Sequence, residues 1–285
     1  MGDNRDLAGL AICGIIGDGQ EIVGKNLEIF NEAIANGVIN PGRGVTLPGR
    51  DMTERLYTAT SPYLDGVSGK EQHVQELIDG AKDRAAGEGK LKISTLISRV
   101  ILDAAPATTP AGLGMIYGDT YQLQREVIED GHTLAAVIDA CGKTGHGDIG
   151  ATLCLRSSQN LEKAWEIARQ HRVNVIDAVM AAKPVEGLSG VFEVREATIA
   201  SDVADIFARD KAGTPAVLVY ARTGNSCRIS ARASQGTPVE LGPIVRELAT
   251  SCGGSGGGHN LRAGAIIPCD SVAAFAKGWH EAVAS

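Results

Sequence analysis

The residues best suited to chemistry lie between positions 215 and 265. The run Cys252-Gly253-Gly254-Ser255-Gly256-Gly257-Gly258-His259 carries so few side chains that its backbone N–H groups can approach an anion closely. Upstream, Cys227 to Ser234 alternates. A strand there would turn Cys227, Ile229, Ala231 and Ala233 to one side and Arg228, Ser230, Arg232 and Ser234 to the other. The first set suits a core and the second is a row of hydrogen-bond donors. Residues 215–265 hold five arginines, no lysine and two glutamates, a local charge of +3 within a chain of −7. Glycine amides, guanidinium forks and the imidazole of His259 form a donor set matched to phosphate oxygens. Two readings stay open on these residues alone, a flexible linker beside a solvated arginine face or an anion site. The run sits between a helical pattern and an apolar strand, which is not how a linker is flanked.

Three other places invite chemistry. Asp18 stands between two glycines in GIIGDGQ, where an aspartate serves as a turn or cap residue unless further ligands join it. Gly142-Lys143-Thr144 resembles the end of a phosphate-binding loop, but Val137 occupies the position of the required first glycine, and the preceding apolar residues have helical spacing. His132, Cys141 and His146 lack the spacing and the fourth ligand of a zinc site. Trp165 and Trp279 fall within helical patterns and read as core.

The elements that must position these groups follow from periodicity and breakers. Helices are expected at Asp6 to Ile16, capped by Asp3 or Asn4, and at Asn26 to Ala35, then at His73 to Ala85 and Ser94 to Ala104. NPGRG and LPGRD read as loop. APATTPAG at 105 to 112 reads as a boundary, giving domains 1–108 and 109–285. Beyond it, a helix is expected at Gln122 to Cys141, a short strand at Ala151 to Leu155 and a long helix at Leu161 to Ala182. A strand at Val191 to Ala197 and a helix at Asp202 to Lys211, capped by Ser201, come next. The strands Ala216 to Ala221 and Cys227 to Ser234 form a hairpin through Thr223-Gly224-Asn225-Ser226. Helix Leu241 to Ser251, the glycine run as a loop, strand Ala263 to Pro268 and helix Val272 to Val283 complete the chain. The fold class is α/β, a largely helical first domain followed by a mixed α/β domain with a central sheet.

A chain of 285 residues is long enough for two cores. Its net charge of −7 argues against non-specific coating of duplex DNA, which needs many cations, while a local phosphate site remains allowed. The six cysteines form no CxxC pair and read as buried thiols of a cytoplasmic protein. No apolar run reaches the ~18 residues of a membrane span, so no membrane partner is expected.

The segment GNSCRISARASQGTPVELGPIVRELATSCGGSGGGHNLRAGAIIP resembles the DHH-associated C-terminal domain, with its S-x-R strand, helix and GGGH-x-x-x-A-G element at Ser230, Arg232, Gly256, Gly257, Gly258, His259, Ala263 and Gly264. GDNRDLAGLAICGIIGDGQEIVG is similar to the fourth block of RecJ-like DHH phosphoesterases. IYGDTYQLQ and IDACGKTGHGDIGATLCL resemble the archaeal branch that contains the GINS-associated nuclease. The resemblance implies a partial DHH domain and a metal-dependent exonuclease acting on single-stranded DNA or RNA in DNA repair or replication, with GINS-type replication proteins as partners. It further implies that Ser230, Arg232, Gly256, Gly257, Gly258 and His259 hold substrate phosphate. Asp18 would be catalytic, as a ligand of Mn²⁺ or Mg²⁺. The family's earlier aspartate blocks and DHH triplet are not in this sequence, and a two-metal centre needs several carboxylates. Roughly half of a catalytic domain is therefore expected to lie outside it, and binding to outlast catalysis. The alternatives are a non-catalytic replisome or repair subunit and a phosphoesterase of short oligonucleotides or cyclic dinucleotides.

Overall fold

The computed structural model describes residues 4–83, 89–211 and 215–284. A 3-10 turn, Arg5–Leu7, leads into α1 (Ala8–Asp18), α2 (Gly24–Ala35) and β1 (Ile39–Val45), and another, Cys269–Ser271, precedes the last helix. Next come α3 (Met52–Tyr57), α4 (Glu71–Gly80), the short β2 (Lys82–Asp83) and β3 (Lys90–Leu91), α5 (Ile93–Ala104), α6 (Pro110–Gly114) and β4 (Tyr117–Leu123). Three helices follow, α7 (Gly131–Lys143), α8 (Gly147–Cys154) and α9 (Leu161–Ala181). The remainder is β5 (Pro184–Val185), β6 (Leu188–Val194), α10 (Ala200–Arg209), β7 (Ala216–Thr223), β8 (Ser226–Ala233), α11 (Leu241–Ser251), β9 (Ser255–Gly258), β10 (Arg262–Pro268) and α12 (Val272–Ala284).

Contacts divide the chain into two units that interleave in sequence, residues 1–59, 70–100 and 114–173 in one and 60–69, 101–113 and 174–285 in the other. The expected division at 108/109 assumes continuous domains, whereas segments 60–69 and 101–113 pack with the second unit. The first unit is largely helical, as expected. Ile12, Cys13 and Ile15 of α1 meet Leu134, Val137 and Cys141 of α7 and Leu153 of α8 in one core. Helix α1 ends where Gly19 adopts a left-handed conformation, φ +63°, and its N–H bonds back to Ile15 and Ile16. Asn4 makes no capping bond to the opening turn, and Asp3 lies outside the described residues.

Several expected elements come out differently in this unit. INPGRGV, read as part of a loop, is β1, paired antiparallel with β4 from Ile39↔Leu123 to Val45↔Tyr117. In a two-stranded ribbon each strand keeps one open edge, so Pro41 can lack an N–H without breaking the ladder. The helix expected from Gln122 starts only at Gly131, because Asp130 caps it there by accepting from Thr133 N at 2.8 Å. Ala151 to Leu155, read as a strand, belongs mostly to α8. A short apolar run fits either element, and the burial of Ile149, Gly150 and Leu153 has helical spacing. The helix expected to reach Ala85 stops at Gly80 and is followed by β2, with residues 84 and 85 outside the described ones.

The second unit is built on a six-stranded mixed sheet of order β5-β6-β7-β8-β10-β9. The pair β6–β7 is parallel, crossing over through α10, and the other neighbours are antiparallel. The hairpin β7–β8 turns through Gly224, φ +59°, and Asn225, as its sequence demands. On one face Leu218, Ile229, Ala231, Ala265 and Ile267 pack under α11 and α12, including Phe275 and the fully buried Trp279. On the other, Val217, Val219 and Ala221 pack with Val203 and Ile206 of α10 and with the end of α9. Helix α10 begins at Ala200 with Ile199 at its cap position, so Ser201 does not cap it.

One buried carboxylate ties the early segments into this unit. Asp210 is wholly buried, and its side chain accepts from Tyr63 N at 2.8 Å and from Arg209 Nε and Nη2, each at 2.7 Å. Its carbonyl accepts from Thr109 N at 2.8 Å. Removing one member of such a buried pair strands the other. Asp210→Ala should lower unfolding free energy by roughly 3 kcal/mol, near the lower end for broken buried pairs because Arg209 keeps some solvent. Urea denaturation with an unchanged m-value would register it, and a loss under about 0.5 kcal/mol would contradict this account.

Candidate functional site

The alternation of β8 is realised as expected. Cys227, Ile229, Ala231 and Ala233 are buried in the core under α11 and α12. Arg228, Ser230 and Arg232 fall on the opposite face, where the registers continue them across the sheet. One row runs Val219, Ser230, Gly264, Gly257. The row beside it runs Val217, Arg232, Arg262, and the row on the other side runs Ala221, Arg228, Ile266, Ser255. Rows two residues apart stand roughly 7 Å from each other. Beyond Ser230 the middle row has no side chains, so it forms a shallow trough floored by glycine backbone, with Arg232 and Arg262 along one wall and Arg228, Ile266 and Ser255 along the other. Arg228 is exposed, the Arg262 side chain is 63% exposed and Ile266 is 52% exposed, so the trough is open where it crosses β10.

The glycine run is not a loop. Gly256, Gly257 and Gly258 lie in the edge strand β9, paired with Ala265, Gly264 and Ala263. A loop with amides open to an anion was expected from the run of glycines, but here packing draws the run into the sheet. A Cβ on Gly256 would stand 2.8 Å from that of Ala265 and 3.0 Å from that of Ala249 on α11. On Gly258 it would meet the Arg262 carbonyl oxygen at 2.3 Å, and on Gly242 of α11 it would meet the Gly258 oxygen at 2.5 Å. These glycines admit a helix against a strand. Gly257 differs, since the nearest atoms to a Cβ there belong to the guanidinium of Arg246, at 3.6 Å.

His259 is exposed and extends the ladder by one residue, its N–H donating to the Arg262 oxygen at 2.7 Å, so it stands opposite Arg262 at the end of the arginine row. Ser230, Arg232, Gly257 and His259 thus share one face. Arg232 is already engaged. Its Nε donates to Asp205 of α10 at 2.7 Å and its Nη1 to the Ala231 oxygen at 3.0 Å, while Arg262 reaches the same carboxylate oxygen at 3.4 Å. Asp205 holds the fork in place and also competes with any incoming anion. Sequence reasoning missed Asp205, which belongs to a different element, and counted Arg262 only as charge. The β10 register would have revealed the latter.

Asp18 lies in the first unit, in the last turn of α1, exposed, accepting from Gln20 Nε2 at 3.1 Å. The negative end of the helix dipole disfavours a buried carboxylate there. Among the described residues no group of three or more histidines, cysteines, aspartates or glutamates is placed to hold a metal ion. One carboxylate does not make the donor set of a two-ion centre, so these residues do not fit Mn²⁺ or Mg²⁺ by themselves. Gly142-Lys143-Thr144 ends α7, with Lys143 paired to Asp139 at 2.7 Å. No helix among the described residues is long and apolar enough to cross a membrane.

With this geometry in place, residues 185–285 match the DHHA1 domain family. An uncharacterized protein of Methanocaldococcus jannaschii is 26% identical over 95% of this chain and 62% of its own length. The chain therefore spans under two thirds of that relative. In fold, the chain is similar to CDC45 from Entamoeba histolytica, with a TM-score of 0.62 at 8% identity, covering 99% of this chain and 69% of that one. It is also similar to RecJ in complex with Mn²⁺ from Thermus thermophilus, with a TM-score of 0.53 at 12% identity, covering 100% of this chain and 33% of that one.

Packing around β9 is directly testable. Gly256→Ala forces a methyl into the α11 contact and should cost about 1–3 kcal/mol of stability, the usual range for overpacking. Ser230→Ala touches the trough without entering that contact and should stay within about 1 kcal/mol of the parent. Equal stabilities for parent and Gly256→Ala in chemical denaturation would refute the packing role.

Proposed function

We propose, from the premise that this is a RecJ-like chain of the DHH superfamily with a DHHA1 domain at residues 185–285, that its sheet face binds the phosphates of single-stranded DNA or RNA. The observation that carries the reading is the trough itself, in which Ser230 between Arg228 and Arg232 leads onto side-chain-free backbone at Gly264 and Gly257, flanked by Arg262 on one side and by Ile266 and Ser255 on the other. A strand laid along it would meet the exposed guanidinium forks of Arg262 and Arg228 and the His259 imidazole at the end of one row, with the buried Ser230 and the part-buried Arg232 at the inner end of the trough. Within this reading Gly256 and Gly258 act through packing, by holding the bare edge in place, and Arg262 joins Arg232 as a phosphate contact. Recognition through backbone phosphate also accommodates the chain's acidic net charge, because the cations are focused on one face.

As a whole the protein fits a RecJ-like phosphoesterase whose divalent ions, Mn²⁺ or Mg²⁺, would be held at Asp18 together with carboxylates that this sequence does not contain. This chain's own residues would bind and orient the substrate. A non-catalytic replication subunit that engages GINS-type proteins is the second reading, favoured by the lack, among the described residues, of a group of three or more metal-ligating side chains. Capture of GINS-type proteins without any cleavage of oligonucleotides by the full-length protein would select it.

Three substitutions test the binding face. Arg262→Ala and His259→Ala should each weaken single-strand oligonucleotide binding about tenfold, equivalent to ~1.4 kcal/mol. For the arginine, the slope of log K against log salt should fall by roughly 0.7, as for one lost phosphate contact. Asp205→Asn should tighten binding several-fold by releasing Arg232 from its competing carboxylate. Fluorescence anisotropy at two or more salt concentrations measures all three, and parental affinity in both Arg262→Ala and His259→Ala would remove the assignment.

A further inference from the structure

The six cysteines are all free thiols, but two of them are not independent. Cys227 is the second residue of β8 and Cys269 directly follows β10. The register pairs Cys227 with Ile267, and Cys269 N donates to the Asn225 oxygen at 2.9 Å, so the two cysteines are diagonal neighbours at the end of the β8–β10 ladder. Their sulfurs lie 2.8 Å apart. A disulfide bond is ~2.05 Å long, so bonding requires less than an ångström of approach, within reach of small side-chain rotations. Access is asymmetric. Cys227 is fully buried, and burial, with the neighbouring Cys269 thiol, pushes its own thiol up to about 12, so it is the slower of the two to react. Cys269 is only partly buried and lies at the surface end of the pair.

We propose that Cys227 and Cys269 are an oxidative modification site, forming a reversible disulfide by exchange with a low-molecular-weight disulfide such as oxidised glutathione. The exposed partner reacts first. Cys269, having released its proton, attacks one sulfur of the small disulfide, whose S–S bond breaks to release one small thiolate and leave a mixed disulfide on Cys269. Cys227 then gives up its proton and attacks the Cys269 sulfur, and the second small thiolate departs. Both released thiolates take up the protons the protein lost. Two protein thiols and one small disulfide thereby become one protein disulfide and two small thiols. The bond joins the two strands that carry Arg228, Ser230, Arg232, Arg262 and Gly264, and closes a loop between residues 42 apart in sequence that contains α11 and β9. Oxidation would fix the end of that ladder without touching the trough. This inference is independent of what the trough binds.

The test uses the whole chain and needs no nucleic acid. Protein treated with oxidised glutathione is compared with protein held in phosphine reductant, then alkylated under denaturing conditions and digested for mass spectrometry. A linked pair of peptides containing Cys227 and Cys269 is expected, with the other four of the six cysteines alkylated. The oxidised form should melt roughly 5–15 °C higher, as for a disulfide closing a loop of this length. Cys269→Ser, a change at a partly exposed position, should abolish both linked peptide and shift, and Cys252→Ser should preserve both. Six alkylated thiols after oxidation, glutathione retained on Cys269 without linkage, or a link between any other pair would overturn the proposal.

Discussion

The second unit depends on how closely helix α11 can approach the edge strand β9. A side chain at Gly242 would collide with the Gly258 carbonyl, and one at Gly256 would collide with Ala249 and Ala265. Helix and strand therefore touch backbone to backbone, an approach open only to residues without a Cβ. That contact fixes β9 as the last strand of the sheet and gives the glycines a structural reason to be there. The opposite face of the edge is bare at Gly257, which stands outside that contact, so the packing fixes where the trough lies and any anion site there inherits its rigidity from it.

Electrostatics then decide what such a bare edge can attract. The chain is acidic overall, yet Arg228, Arg232 and Arg262 come together on one face of two adjacent strands, β8 and β10. Asp205 is the counterweight. By holding Nε of Arg232 at 2.7 Å it orders a long side chain before any ligand arrives, and it lowers the local positive potential by one charge. Ordering and competition act on affinity in opposite directions. The exposed Arg262 reaches the same carboxylate at 3.4 Å in a weaker contact, so it is the freer of the two cations.

Long-range polar ties do the corresponding work where the chain is discontinuous. Asp210 gathers Tyr63 and Thr109 from two early segments through backbone N–H groups and fixes Arg209 with both carboxylate oxygens. In the first unit Arg172 plays a similar part, donating to Glu54 at 2.8 Å and to the Pro48 oxygen at 2.6 Å. Burial pulls that guanidinium below its usual range, and the Glu54 carboxylate opposes the shift. Both networks join residues more than a hundred positions apart, and no local pattern announces them.

Local rules were enough wherever one face of an element is buried by itself. The alternation of β8 announced its core face, the hairpin turn announced itself through Gly224-Asn225, and the amphipathic periods of α9 and α11 located both helices. The alternation also placed Ser230 and Arg232 together on the face opposite the core, where the β8 register has them. Tertiary structure decided the rest. Whether Ala151 to Leu155 was strand or helix depended on the burial of Ile149, Gly150 and Leu153 against distant partners, and whether INPGRGV was loop or strand depended on β4, some eighty residues on. The glycine run became a strand because α11 and β10 could close on it, and Asp205 entered the site only because α10 crosses β8. Periodicity records which side of a segment is buried, but the identity of what buries it is a property of the folded chain.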